Sequence, residues 1–180
     1  MVSFKVFKSK RLIIRPTLEE DAELIYQLMN TAKFIKYVGD RQLDSISSAE
    51  SYIKLKMLPQ LKAKGYSNYT LINAINGSKI GICGLYDRIG IEGIDVGFGI
   101  LPKFEGLGYA YESASRIIKA AFEEFKIEEL KAITDQKNIA EIRVEKHRNG
   151  QTGFVKLTWV PHCTRFEDYA PQIYDGVGEF

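Results

Sequence analysis

A chain of 180 residues is long enough for one domain with a sizeable core and short for two. With 45% hydrophobic and 27% charged residues, its composition is that of a folded soluble protein and excludes a disordered chain. The 25 basic and 23 acidic residues leave a formal net charge of +2, which gives no electrostatic reason to expect nucleic acid or an anionic membrane as partner.

The N-terminus, MVSFKVFKSKRLIIRP, lacks the long apolar run of a signal peptide, and no segment approaches the ~20 apolar residues of a membrane helix. Residues 11–15, RLIIR, are short, β-branched and closed by Pro16, which predicts a strand. Leu18, Ala22, Ile25, Leu28 and Met29 recur at helical spacing behind acidic residues. Ser47-Ser48-Ala49-Glu50 has capping-box spacing and predicts a second helical segment that Pro59 kinks or ends. SNYTLINAI and SKIGICGLYDR flank Asn76-Gly77, a strong hairpin signal, and IDVGFGI at 94–100 adds a third strand. From Tyr109 onward, Ala110, Ala114, Ile117, Ile118, Ala121, Phe122 and Phe125 form one apolar helical stripe. LKAITD reads as a strand, Asn138 to about Arg148 as a helix, and the stretches near 153–160 and 166–174 as two more strands. This order predicts one α/β (α+β) domain over residues 1–180, with a mixed, mostly antiparallel central sheet and helices on both faces. The strand–helix–strand unit over 94–136 predicts one parallel pair.

Two glycines, Gly106 and Gly108, stand where the long helix begins. The first turn of a helix has N–H groups without helical partners, and the helix dipole favours an anion there. Glycine lets the backbone approach a phosphate closely and turn as a side chain would forbid. A plain tight turn explains the same residues. A P-loop is excluded, because neither Lys nor Ser/Thr follows in place. The dinucleotide fingerprint is excluded because position 111 is Tyr.

The stretch DVGFGILPKFEGLGYAYESA resembles the central motif of the GNAT superfamily of N-acetyltransferases. Its best match is the branch of ribosomal-protein N-terminal acetyltransferases. SKRLIIRPTLEEDAELIYQL resembles that branch's opening strand and helix, and DQKNIAEIRVEK its segment after the fifth strand. The resemblance implies the GNAT acyl-CoA N-acyltransferase fold and acetyl-CoA as co-substrate. It implies a cofactor-binding set of Phe98, Ile100, Lys103, Gly106, Leu107, Gly108, Tyr109, Ala110 and Asn138. Three departures stand out. Lys103 replaces Gln or Arg. Glu105 places a carboxylate beside the phosphate loop. Gly153-Phe154 follows Asn138 four residues late, after an insert around 147–152.

Acetyl transfer from a thioester needs a neutral amine, a stabilised oxyanion and a proton for the departing thiolate. Asp95 is the candidate base, or else a solvated carboxylate at a strand end. Tyr111 is the candidate acid, with Tyr86 and Tyr169 as alternatives, because Glu145 stands at the usual family position. Gly97 and Gly99 suit either close backbone approach to the thioester or relief of crowding against a helix. Asn138 is a ligand of the pantetheine arm by resemblance and a helix N-cap on its own. Cys83, in an apolar strand far from His147 and His162, reads as core. Adjacent His162 and Cys163 point to opposite faces of an extended chain, so no dyad and no metal site is expected. The expected activity is direct transfer of acetyl to an amine, a protein N-terminus or a small molecule, in a cytoplasmic protein for which a homodimer is a permitted assembly. A non-catalytic acyl-CoA-binding domain on the same fold is the alternative, and a nucleotide-phosphate binder a third.

Overall fold

The computed structural model describes residues 4–88 and 93–132, together with the backbone of 140–144, 153–160 and 165–168. The chain divides into two compact units, Met1–Ala132 and Ile133–Phe180.

In the first unit six strands lie side by side in chain order: β1 (Phe7–Lys8), β2 (Leu12–Pro16), β3 (Asn68–Asn73), β4 (Lys79–Asp87), β5 (Ile94–Ile100) and β6 (Leu130–Lys131). All neighbours are antiparallel except β5 and β6, which run parallel, as the strand–helix–strand unit requires. Helices cover both faces. On one, Ile117, Ala120 and Ala121 of α5 (Tyr109–Glu123) pack with Leu12, Ile14, Leu71 and Leu85 of the sheet. On the other, Leu24, Ile25 and Leu28 of α1 (Ala22–Met29) join Ile53, Met57 and Ile82. Leu24, Ile25, Leu28 and Met29 form one stripe, which is why this segment is a helix buried along one side.

Several boundaries differ from the sequence reading. A 3-10 turn at Glu19–Asp21 precedes α1. A short helix, α2 (Ala32–Val38), follows it, capped by Thr31, whose hydroxyl accepts the Phe34 N–H. Gly39, at φ +102°, ends it in a conformation that side chains disfavour. The cap of α3 (Ile46–Tyr52) is Ser45, not Ser47. Ser45 and Ser48 exchange side-chain and backbone bonds, while Glu50 pairs with Lys54. Pro59 does not end the segment. A stretch of π-helix (Ile53–Met57) comes first, and Pro59, which has no N–H to donate, lies directly after it in the first turn of α4 (Leu58–Lys64). The hairpin forms, with a loop over 74–78 closed by Asn73 N–H on the Ser78 carbonyl, and Gly77 takes φ +73°.

One polar cluster ties these elements together. The Asp21 carboxylate is fully buried and accepts from Arg15 at 2.7 and 2.9 Å, Leu18 N–H at 3.0 Å and Thr70 at 2.9 Å, with Lys79 at 2.6 Å. Burial alone would raise its pKa. The bonds from Arg15, Lys79 and Leu18 outweigh that and hold it below the ordinary carboxylate value.

In the second unit β7 (Ala140–Val144), β8 (Gly153–Val160) and β9 (Arg165–Asp168) form an antiparallel sheet. The helix expected from Asn138 is therefore a strand over 140–144. Its residues alternate apolar and charged (Ala140, Ile142 and Val144 against Glu141 and Arg143), the period of a strand rather than of a helix.

Candidate active site

A 3-10 turn at Pro102–Phe104 follows β5, and Glu105 to Gly108 connect it to α5. Gly106 has φ +73° and Gly108 φ +81°, so both glycines occupy left-handed backbone. A methyl placed on Gly106 would meet nothing within 4 Å, so open space adjoins the loop. Gly108 is the N-cap of α5 and no side chain caps the first turn. The N-terminal N–H groups of a 15-residue helix are therefore left for solvent or an anion.

This loop is braced from behind by the turn between β1 and β2. The Arg11 guanidinium donates to Glu112 Oε2 at 2.7 Å and to the Leu107 carbonyl at 2.9 Å, and lies 4.3 Å from the Tyr109 ring centre. Glu112 Oε1 also accepts from Arg11 N–H and the Ser9 hydroxyl, both at 2.7 Å. Burial pushes the Glu112 pKa up, but the bonds from Ser9 and Arg11 prevail and set it below its ordinary value. Sequence reasoning missed this brace because its partners lie 101 residues apart.

Between α2 and the loop runs a cleft of about 280 Å3. Leu28 and Lys33, Phe34, Tyr37 and Val38 form one wall. Phe98, Gly99 and Ile100 of β5 and the loop with the start of α5 form the other. Among the described residues, β5 has a sheet partner on its β6 side only at Ile94 and Asp95. The strand edge from Val96 to Ile100 continues past that pair, and its last three residues border the cleft.

Of the sequence candidates, Phe98, Ile100, Gly106, Gly108, Tyr109 and Ala110 line the cleft. Lys103 and Leu107 do not: the Lys103 ammonium lies 5.0 Å from the Phe104 ring centre, and Leu107 contributes its carbonyl to Arg11. Asp95 and Tyr111 are not brought to the cleft either. Asp95 is 2% exposed and paired with Arg88 at 2.6 Å, whereas Tyr111 is 69% exposed on the first turn of α5. Tyr86 lies opposite Asp95 and donates its hydroxyl to Asn68, and burial raises its pKa strongly. Asn138, Tyr169, His147, His162 and Cys163 fall outside the described residues.

The two β5 glycines make room for protein side chains. A methyl on Gly97 would sit 3.2 Å from the Tyr86 ring, and one on Gly99 3.2 Å from Leu28 of α1. Cys83 is fully buried, and burial pushes its thiol up to about 12, which disfavours the thiolate at neutral pH. Glu105 does not stand alone beside the loop, because Lys33 of α2 forms an ion pair with it. No group of metal-ligating side chains and no membrane-spanning helix occurs among the described residues.

The sequence and fold match known proteins. An acetyltransferase (GNAT) domain model matches residues 11–148. The chain is 23% identical over 138 residues to the uncharacterized N-acetyltransferase YnaD of Bacillus subtilis, covering 77% of this chain and 78% of that protein. Its fold superposes with a TM-score of 0.61 on the ribosomal-protein-S5-alanine acetyltransferase of Vibrio fischeri, at 14% identity, over 86% of this chain and 94% of that one. A separate match of another kind covers 42 residues, 50% identical to the replicative DNA helicase DnaB of Buchnera aphidicola, which is 23% of this chain and 9% of the helicase. The glycine loop at a helix start, the mixed sheet and a family match over most of the length converge: the chain belongs to the GNAT family of acetyltransferases, enzymes that use acetyl-CoA.

Proposed function

We propose that the cleft holds acetyl-CoA and that acetyl passes directly to an amine, a protein N-terminus or a small molecule, in a ternary complex. One observation carries this reading: the uncapped α5 N-terminus and the last three residues of β5 border the same cleft. Gly106, Gly108, Tyr109 and Ala110 hold the pyrophosphate, and Phe98 and Ile100 border the pantetheine arm. The bound thioester supplies the activated acetyl group. Among the described residues Glu105 is the one carboxylate lining the cleft, and it is ion-paired. In this reading the acceptor proton therefore leaves through water, and kcat/KM rises with pH along the titration of the acceptor amine itself. The test is a thermal melt with CoA, then thiol release from acetyl-CoA across an amine panel. A ligand at 100 times its Kd adds about 2.7 kcal/mol to stability. No shift at millimolar CoA ends the cofactor reading, and a shift without thiol release for any amine leaves a binding domain.

A second reading concerns the C-terminal unit, and the helicase match favours it. The acetyltransferase model accounts for residues 11–148, so a 42-residue stretch of other kinship overlaps it least at the C-terminal end. There too the expected helix gives way to β7, and Gly153-Phe154 falls out of the family spacing. We infer that most of the second unit, the part beyond residue 148, is a separately derived segment and that the cofactor site lies in the first unit. Asn138→Ala then leaves the Kd for CoA within about twofold. A tenfold loss would instead place Asn138 on the pantetheine and restore a single domain over 1–180.

A further inference from the structure

We propose that α2 is a clasp on the cofactor arm, with Lys33 as a phosphate ligand held in place by Glu105 until the cofactor binds. The inference rests on the acetyl-CoA reading of the cleft. Lys33, Phe34, Tyr37 and Val38 stand at i, i+1, i+4 and i+5, one stripe of a helix, and all four line the cleft. No residue of α2 is buried in the protein, and Tyr37 keeps 60% of its surface exposed. Phe34 packs in part against the core beneath α2, and the rest of the stripe is left uncovered; an apolar stripe of this kind, facing a cleft, marks the place of an apolar ligand segment. The pantetheine arm is such a segment, and it ends in phosphates.

The charge pattern agrees. Lys33 reaches across the cleft to Glu105, the residue immediately before Gly106. Both side chains are accessible, Lys33 at 68%, so the pair is weakly held and can exchange partners. A pyrophosphate at the α5 N-terminus carries more negative charge than one carboxylate, so the ammonium gains by moving to it. Glu105, out of place beside a phosphate loop, thus keeps a cation within reach of it. Closing Lys33 onto the phosphate draws the apolar stripe of α2 over the arm.

The experiment titrates CoA into the full chain by calorimetry, so the readout needs neither acceptor nor catalysis. Four proteins are compared at low and high salt: wild type, Lys33→Ala, Glu105→Gln and the double variant. Both residues are accessible, and melting curves check that each variant folds. If Lys33 binds phosphate, Lys33→Ala weakens CoA about 3- to 10-fold even where Glu105 is already Gln, and less so at high salt. Binding of acetyl-pantetheine, which lacks phosphate, is unchanged by Lys33→Ala and weakened by Tyr37→Ala. If Lys33→Ala has no effect once Glu105 is Gln, Lys33 only neutralises that carboxylate and the clasp is wrong. If the wild type does not bind CoA at all, the cofactor reading falls and the clasp with it.

Discussion

The Arg11–Glu112 brace makes a quantitative prediction. Glu112→Gln keeps the shape of the side chain and removes its charge. One amide oxygen can still accept from Ser9 or Arg11 N–H, but the amide NH2 then faces the Arg11 Nε–H, donor against donor. The loss is at least one charge-assisted bond at a side chain that is 16% exposed, which places the cost at about 2 kcal/mol. For a chain of this size that lowers Tm by roughly 4–8 °C. The same change releases the grip on the Leu107 carbonyl, so at 25 °C, well below the melt, CoA should bind about 3- to 10-fold more weakly. Arg11→Lys should weaken CoA likewise, since an ammonium cannot serve Glu112 and Leu107 while lying flat on Tyr109. The pH dependence has a definite sign. The folded pKa of Glu112 is depressed, so its contribution is present above the ordinary value of 4.5 and lost as pH falls through the folded value. The Tm gap between wild type and Glu112→Gln should be full at pH 7 and narrow below pH 4.5. A gap under 1 °C with unchanged CoA affinity would refute the brace.

Three further outcomes are expected. Gly108→Ala forces a side chain into left-handed backbone and should cost about 1–2 kcal/mol in urea unfolding, with Gly108→Val costing more. The new methyl meets only Arg11, at 3.4 Å, so loss of CoA affinity would come through loop shape, and normal affinity in Gly108→Val would reduce the loop to a turn. Asp95→Asn breaks a buried pair with Arg88 and should lower Tm while leaving the pH profile of kcat/KM unaltered; a vanished limb in that profile would make Asp95 the base after all. In a Cys163→Ser background, native protein at pH 8 should resist thiol reagents and become reactive on unfolding, because the Cys83 thiol is buried and titrates near 12; prompt labelling would contradict its core role.

The elements legible in the sequence are those whose signal is local and repeated. The α5 stripe, the alternating strands of the meander, Asn76-Gly77 and the glycines before Tyr109 each encode their conformation within a few residues. The helix α2 was not legible. It has only seven residues, and Phe34, Ile35, Tyr37 and Val38 carry little helix preference. Its only local marks were Thr31 and Gly39 at its two ends. That omission hid one whole wall of the cleft. The strand β7 was legible in the alternation of Ala140 to Val144, but the capping sense of Asn138 pointed the other way. Asp95 and Tyr111 are candidates by chemical type and motif position. Which of them reach the cleft depends on pairings such as Arg88–Asp95, which no spacing reveals.

The buried Asp21 cluster has a consequence for how the sheet is assembled. Arg15 and Thr70 face each other across β2 and β3, and both bind the same carboxylate, with Lys79 arriving from the next strand. A slip of one residue between β2 and β3 would turn Arg15 or Thr70 to the opposite face and leave a desolvated carboxylate short of partners. Apolar neighbours such as Ile13 and Ile14 discriminate poorly against such a slip, since each could replace the other. The carboxylate therefore acts as an alignment key, accepting a single pairing among several that hydrophobic matching alone would tolerate.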